Sequence, residues 1–202
     1  YDEIKKIIAS GAIGKVSKII AELSESPIRA NKPRLWDING GGGALLDLGI
    51  YPISIAASLL GIPKLEGVHA NATLADTGVD ESTSISFQYD NGSQALLSAS
   101  ILTPGPLNMT ILGTEGRIDI EKIYTDSQFK IYNRSAELIS THKPIAYLDE
   151  KMSGRQFQLI EVERCIKENL KESPKLTWND SLKIMAVLDH IRKQIGVKYP
   201  QD

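Results

Sequence analysis

The sequence contains very little cysteine and histidine. Cys165 is the single cysteine among 202 residues, so an intramolecular disulfide is excluded. A reducing compartment such as the cytoplasm fits best, because secreted domains of this size commonly rely on disulfides. The three histidines lie far apart in the sequence, and none has a second histidine or an acid at the spacing of a metal site. We therefore expect a cytoplasmic protein without a bound metal.

The sequence also lacks an excess of either charge, and it lacks a long hydrophobic run. Its 23 Lys and Arg residues nearly balance its 25 Asp and Glu residues, giving a net charge of −2. A nucleic-acid-binding surface needs a clustered basic excess, and a membrane-spanning helix needs roughly 20 consecutive apolar residues. Neither is present in the sequence, so we expect neither a nucleic acid nor a membrane as a partner.

What remains is the composition of an ordinary globular protein, with 42% hydrophobic and 24% charged residues. This length is sufficient to bury a substantial core. The sequence shows no internal repeat and no linker, so we expect a single domain over residues 1–202. The chain starts at Tyr1 rather than at a methionine. We therefore expect it to be a piece of a longer protein.

The hydrophobic pattern predicts helices at both ends of the chain and strands between them. Short, partly alternating segments between residues 65 and 133 are separated by turn sequences, among them Asn91 and Gly92, a strong hairpin signal. Short turns imply antiparallel pairing. We predict an α+β fold with a mostly antiparallel open sheet, covered by helices on one face and free for oligomerisation on the other. The predicted helices and the first strand cover residues 1–10, 15–23, 44–60, 159–170 and 184–195.

Four consecutive glycines, Gly40 to Gly43, precede the predicted helix over residues 44–60. A dinucleotide-binding glycine motif follows a buried strand, and a Walker-type loop ends in Lys-Ser or Lys-Thr. Neither context occurs here. We favour the alternative that the glycines allow the backbone to pass close to another element at the start of the helix.

The helix after the glycines combines a predicted apolar back with a polar seam. Asp47 and Tyr51 begin the seam, and a tyrosine of lowered pKa can serve as a proton donor. Spacing alone favours a simpler alternative, in which Tyr51 hydrogen-bonds to Asp47 on a solvated face. Pro52 should kink this helix. The seam also includes Ser54 and Ser58, and the predicted apolar back comprises Leu46, Ile50, Ile53, Ala57 and Leu60.

The segment GGGGALLDLGIYP resembles the C-terminal domain of the glucose–fructose oxidoreductase / inositol dehydrogenase family. The resemblance extends over nearly the whole chain, through IIASGAIGKV, ADTGVDESTSISFQYDNG, ILGTEGRIDI and the last 31 residues, in the order typical of the family. The chain is most similar to the branch of dimeric dihydrodiol dehydrogenases. In that comparison, Tyr51 stands where inositol dehydrogenases usually carry a histidine.

This resemblance implies an oxidoreductase that transfers hydride between NAD or NADP and a sugar, polyol or diol. It implies Tyr51 as the general acid or base and Asp47 as the group that orients substrate or tunes the tyrosine. Arg34, Trp36 and the glycines Gly41, Gly42 and Gly43 would lie near substrate or cofactor, although Trp36 could equally be a structural anchor.

The family's dinucleotide-binding Rossmann domain and its Glu-Lys-Pro motif are absent from the sequence. We therefore expect this chain, by itself, to be inactive and to bind no cofactor. A non-catalytic homodimeric interaction module is the alternative.

Overall fold

The computed structural model of the chain describes residues 1–124, 128–143, 154 and 156–202. Within these residues the fold is α+β, with one sheet and several helices, as predicted. The helices are α1 (Asp2–Ala9), α2 (Ile50–Leu60), α3 (Gln156–Lys167) and α4 (Trp178–Ile195). The strands are β1 (Val16–Ser24), β2 (Val68–Leu74), β3 (Asp80–Gln88), β4 (Gln94–Ser100), β5 (Met109–Gly113), β6 (Gly116–Ile120), β7 (Phe129–Asn133) and β8 (Leu138–His142).

The sheet is open and mixed, with the strand order β2-β3-β4-β1-β5-β6-β7-β8. Consecutive strands pair antiparallel wherever a short turn joins them, which confirms the prediction for the β3–β4 hairpin at Asn91 and Gly92. The prediction of successive pairing is wrong at one place, because β1 inserts between β4 and β5 and runs parallel to β4. Strand β1 is far from β4 in sequence, so no local pattern indicates this pairing.

The core lies between one face of the sheet and the helices. Helix α4 contributes an apolar stripe to this core, since Ile184, Leu188 and Ile191 are all buried. Helix α3 is present as predicted, but its apolar stripe is exposed at Leu159 and Ile166. An amphipathic helix that does not bury its apolar side is unusual, and that side is available to a partner.

The opposite face of the sheet carries no helix among the described residues. Side chains alternate along each strand, so Ile19 of β1 is buried while its neighbour Ile20 is 44% exposed. Ile20 lies opposite Leu96 of β4, which is 42% exposed. These two residues form an apolar centre on an otherwise polar surface, which we call the open sheet face. Its polar neighbours include Glu22, His69, Asn71, Ser84, Ser86 and Ser98.

No helix in the described part of the chain combines the length and the apolar character that a membrane span requires. Nor do three or more His, Cys, Asp or Glu side chains converge there at the distances of a metal site.

Candidate active site

The glycine run forms a tight corner between the irregular segment after β1 and the helix that follows. The Gly43 N–H donates to the Leu35 carbonyl at 2.8 Å, and the Gly42 N–H donates to the Asp37 carbonyl at 2.9 Å. A Cβ atom on Gly42 would lie 2.6 Å from the carbonyl oxygens of Arg34 and Leu35. The close backbone approach predicted from the sequence is therefore present at Gly42.

Gly43 adds a second constraint to this corner. Its φ angle of +113° lies in a region that residues with a Cβ rarely occupy. A Cβ there would lie 2.3 Å from an oxygen of Asp80, so the corner also packs directly against the start of β3.

Asp80 caps the helix that begins at this corner. Its Oδ2 accepts a hydrogen bond of 2.7 Å from the Leu45 N–H and one of 2.6 Å from the Thr83 hydroxyl. A carboxylate at a helix start satisfies an otherwise free N–H and interacts favourably with the helix dipole. Burial raises the pKa of the Asp80 carboxyl above its ordinary value, and these hydrogen bonds offset only part of that shift.

The helix itself differs from the predicted regular one. Residues Leu45–Gly49 form a π-helical turn, and α2 continues from Ile50. This wider turn lies just before Pro52, whose missing N–H removes one regular helical bond. It changes the phase of the helix, so Ile53 is the one residue of the predicted apolar back that is fully buried. The other four residues of the predicted back are partly buried and pack against the core: Leu46, Ile50, Ala57 and Leu60. The buried residues are Leu45, Leu48, Gly49, Pro52, Ile53 and Ala56.

The polar seam stays on the less buried side. Asp47 forms an ion pair with Arg34, which lies on the 3-10 turn Pro33–Trp36. Tyr51 is 46% exposed, and within the described residues its hydroxyl makes no hydrogen bond, to Asp47 or to any other group. The simpler alternative, a Tyr51–Asp47 hydrogen bond, is therefore wrong for this structure. The Tyr51 hydroxyl is available to hydrogen-bond with a group outside the described residues.

Trp36 is buried rather than placed on an open surface. Its Nε1–H donates to Glu81 Oε1 at 3.0 Å, and the Arg29 guanidinium lies 5.9 Å from the centre of its ring. This placement favours the anchor alternative for Trp36. The anchor fixes the turn that carries Arg34, two residues earlier.

The C-terminal segment also reaches the glycine corner. The Tyr199 hydroxyl donates a buried hydrogen bond of 2.6 Å to the Gly42 carbonyl. Burial, with a further contribution from Asp80, raises the pKa of Tyr199 to about 12, so its hydroxyl stays protonated as a donor. Nothing in the sequence around Tyr199 indicated this contact, because it joins residues 157 positions apart.

A cleft of about 830 Å³ continues from the polar seam toward the end of α2. Ser54 and Ser58 line it from α2, and Asp180 and Lys183 line it from α4. Asp47 and Tyr51 lie outside its lining, one to two helical turns along the same seam. The seam therefore connects the partly buried Asp47 and the exposed Tyr51 with an open cleft.

A family model and a known protein both match this chain. Residues 1–119 match the GFO/IDH/MocA C-terminal domain model. The chain is 34% identical over 203 residues to a trans-1,2-dihydrobenzene-1,2-diol dehydrogenase of Xenopus tropicalis. That match covers 99% of this chain but only 60% of the relative, so the chain spans about three-fifths of the relative's length.

Two solved structures share the fold at low sequence identity. An aldose-aldose oxidoreductase from Caulobacter crescentus, complexed with glycerol, superposes with a TM-score of 0.76 at 20% identity, covering 96% of this chain and 57% of that one. A 3-ketoreductase from Actinomadura kijaniata, in complex with NADP and TDP-benzene, gives a TM-score of 0.76 at 19% identity and covers 96% and 58%.

Proposed function

Because the chain belongs to the GFO/IDH/MocA C-terminal domain family, we propose that it is the substrate-binding and dimerisation domain of an NAD(P)-dependent oxidoreductase. The proposed enzyme transfers hydride to or from a diol, sugar or polyol in the cytoplasm. A diol is favoured, because the 34%-identical relative is a dihydrodiol dehydrogenase. The observation that carries the proposal is that Tyr51 is exposed on the same helix as the Asp47–Arg34 ion pair. This helix follows the tightly packed glycine corner.

The chemistry of such a site follows from the proton that the reaction must move. When a substrate carbon changes from carbonyl to alcohol, negative charge develops on its oxygen. The Tyr51 hydroxyl would donate a proton to that oxygen, and would take the proton back in the reverse direction. Arg34 holds the Asp47 carboxylate by an ion pair, so Asp47 is fixed one helical turn before Tyr51. Arg34 is itself well exposed and can meet a substrate hydroxyl.

The glycine corner is poorly suited to holding the phosphates of a dinucleotide. The N–H groups of Gly42 and Gly43 already donate to backbone carbonyls, and the Asp80 carboxylate occupies the start of the helix. A phosphate at this position would find few free donors and would meet a buried acid. NAD(P) would therefore be held by a separate dinucleotide-binding domain of a longer protein.

An exposed apolar surface is suited to packing against such a domain. The outer sides of α3 and α4 leave large apolar side chains in solvent, which is unusual for a stable domain surface. These side chains are Leu159, Ile160, Val162 and Ile166 of α3 and Trp178, Leu182 and Met185 of α4, each of which is roughly half exposed or more.

The chain by itself is expected to show no dehydrogenase turnover and no saturable binding of NADPH, because its helix start is already occupied. Fluorescence titration of the 202-residue chain with NADPH measures this directly. Saturable binding, or turnover of any sugar or diol by the chain alone, would contradict the two-domain proposal. A well-folded chain under the same conditions is the required control, checked by circular dichroism.

The second candidate function, a non-catalytic homodimeric module, rests on the open sheet face. Ile20 and Leu96 are paired there and exposed, and both candidate functions use this face for dimerisation. The two candidate functions differ in what they require of Tyr51, because a non-catalytic module does not need its hydroxyl.

Replacing Leu96 by Glu should weaken the proposed dimer, because a charge would be buried beside Ile20 and the nearby Glu22. We expect the dimer dissociation constant, measured by sedimentation equilibrium, to rise by more than about 10-fold. Ile28→Glu is the matched control, because Ile28 is exposed but lies outside the sheet. A wild-type chain that stays monomeric at high concentration, or equal effects of both variants, would contradict dimerisation through the open sheet face.

A further inference from the structure

Two consecutive residues of β3 hold the two halves of the candidate site. Asp80 accepts the hydrogen bond from the Leu45 N–H at the start of the helix that carries Asp47 and Tyr51. Glu81 accepts the hydrogen bond from Trp36, on the turn that carries Arg34. Because adjacent Cα atoms are only about 3.8 Å apart, one short piece of strand fixes the helix relative to the turn.

A third attachment comes from the C-terminal segment. Tyr199 donates to the Gly42 carbonyl, and its own position is fixed by hydrogen bonds to Asp202. Arg192 of α4 donates to both carboxylate oxygens of Asp202, at 2.9 and 2.7 Å, and its guanidinium lies 5.1 Å from the centre of the Tyr199 ring. The glycine corner is thus held from β3 on one side and from the end of the chain on the other.

We propose that Asp80 and Tyr199 are positioning residues that set the placement of Tyr51 and Asp47 for proton exchange with the substrate. Asp80 acts through the Leu45 N–H and fixes the start of the π-helical turn. Tyr199 acts through the Gly42 carbonyl and fixes the approach to that turn. This inference rests on the proposed function, because it assigns these residues to the same reaction.

Folding stability by itself gives a poor account of Asp80. The side chain is fully buried, and its Oδ1 has no hydrogen-bond partner anywhere in the described part of the chain. A buried acceptor without a partner costs free energy, and a buried charged carboxylate costs more than a buried neutral group. A neutral amide would keep an acceptor for the Leu45 N–H and the Thr83 hydroxyl without the cost of burying a charge. The carboxylate is better explained by the exact position it gives to the helix start.

The test uses the full-length protein that contains the dinucleotide-binding domain, with NADP and a diol substrate. Asp80→Ala should lower kcat by about 100-fold, the size of effect seen when a catalytic group is displaced by about 1 Å. Tyr199→Phe should lower kcat by about 10-fold, since it removes a single hydrogen bond. KM for NADP should stay unchanged in both variants, because no cofactor donor lies at this corner.

Asp80→Asn provides the rescue, because its amide oxygen can still accept from the Leu45 N–H. We expect it to recover most of the activity that Asp80→Ala loses.

Tyr89→Phe is the matched control for Tyr199→Phe, because the buried Tyr89 hydroxyl has no partner among the described residues. Tyr89→Phe should leave kcat unchanged. If Asp80→Ala does not fold, the kcat values of Tyr199→Phe and Tyr89→Phe provide the test. Equal values would overturn the inference for Tyr199.

Tyr51→Phe, measured in parallel, separates this inference from the proposed function. If Tyr51→Phe keeps full turnover, the proposed function fails. If Tyr51→Phe loses turnover while Tyr199→Phe and Asp80→Ala match Tyr89→Phe, the positioning inference is overturned and the proposed function stands. An equal rise of KM for NADP in both positioning variants would also overturn it, because it would show a general loss of structure.

Discussion

Replacing Gly43 by alanine is expected to lower the free energy of unfolding by about 3 kcal/mol, the upper range for a residue forced into an unfavourable backbone conformation. Two separate effects combine. The φ angle of +113° is unfavourable for any residue with a Cβ, and the new Cβ would lie 2.3 Å from Asp80 Oδ1. Asp80 cannot easily move away, because Leu45 and Thr83 both donate to its other oxygen. Urea denaturation of the wild-type chain and of Gly43→Ala measures the difference in the free energy of unfolding.

Gly41→Ala is the matched control for this substitution. Gly41 also has a positive φ angle, +66°, but a Cβ there would meet no atom within 4 Å. Gly41→Ala should lower the free energy of unfolding by about 1 kcal/mol, which is the cost of the left-handed backbone conformation alone. Equal losses for Gly41→Ala and Gly43→Ala would show that contact with Asp80 contributes nothing, and would contradict the described corner.

Tyr51→Phe in the full-length protein is expected to lower kcat by about 10²- to 10⁴-fold, the usual contribution of a general acid or base. The substitution keeps the ring and removes the hydroxyl that would exchange a proton with the substrate oxygen. Because Tyr51 is half exposed and its hydroxyl bonds to no described residue, the fold should be unaffected. KM for the diol should change little, since the lost interaction is strongest in the transition state. Steady-state kinetics at saturating cofactor measure both constants.

Tyr124→Phe is the control for this prediction. Tyr124 is exposed to a similar degree, 41%, and lies after β6, away from the polar seam. Its loss of a hydroxyl should leave kcat unchanged. A similar fall in both variants would indicate a general effect of removing surface hydroxyls, and would count against a specific role for Tyr51.

Local patterns predicted the elements of this fold well. Alternation along the strands and the Asn91-Gly92 turn identified most of the sheet, and the stripe of Ile184, Leu188 and Ile191 identified the buried side of α4. Strand β8 was missed, because its short sequence alternates only weakly. The parallel β1–β4 pair was missed because it depends on contacts between segments about 75 residues apart.

The candidate site was predictable in its reactive groups but not in its supports. The spacing of Asp47 and Tyr51 on one helix side is visible in the sequence, and the exposed seam follows from it. The buried side of that helix was not predictable, because a π-helical turn replaces regular helical geometry just before Pro52. Asp80 and Tyr199 reach the glycine corner over 35 and 157 positions, and no local signal marks such contacts.

The most direct test of the central claim is the rate of the first turnover in the full-length protein, wild type beside Tyr51→Phe. Product release often limits steady-state turnover, so the absorbance of reduced nicotinamide is followed on mixing diol with the enzyme already saturated with cofactor. The proposed role of Tyr51 predicts a first-turnover rate at least about 100-fold lower in Tyr51→Phe, with unchanged cofactor affinity. Equal first-turnover rates in the two proteins would contradict it.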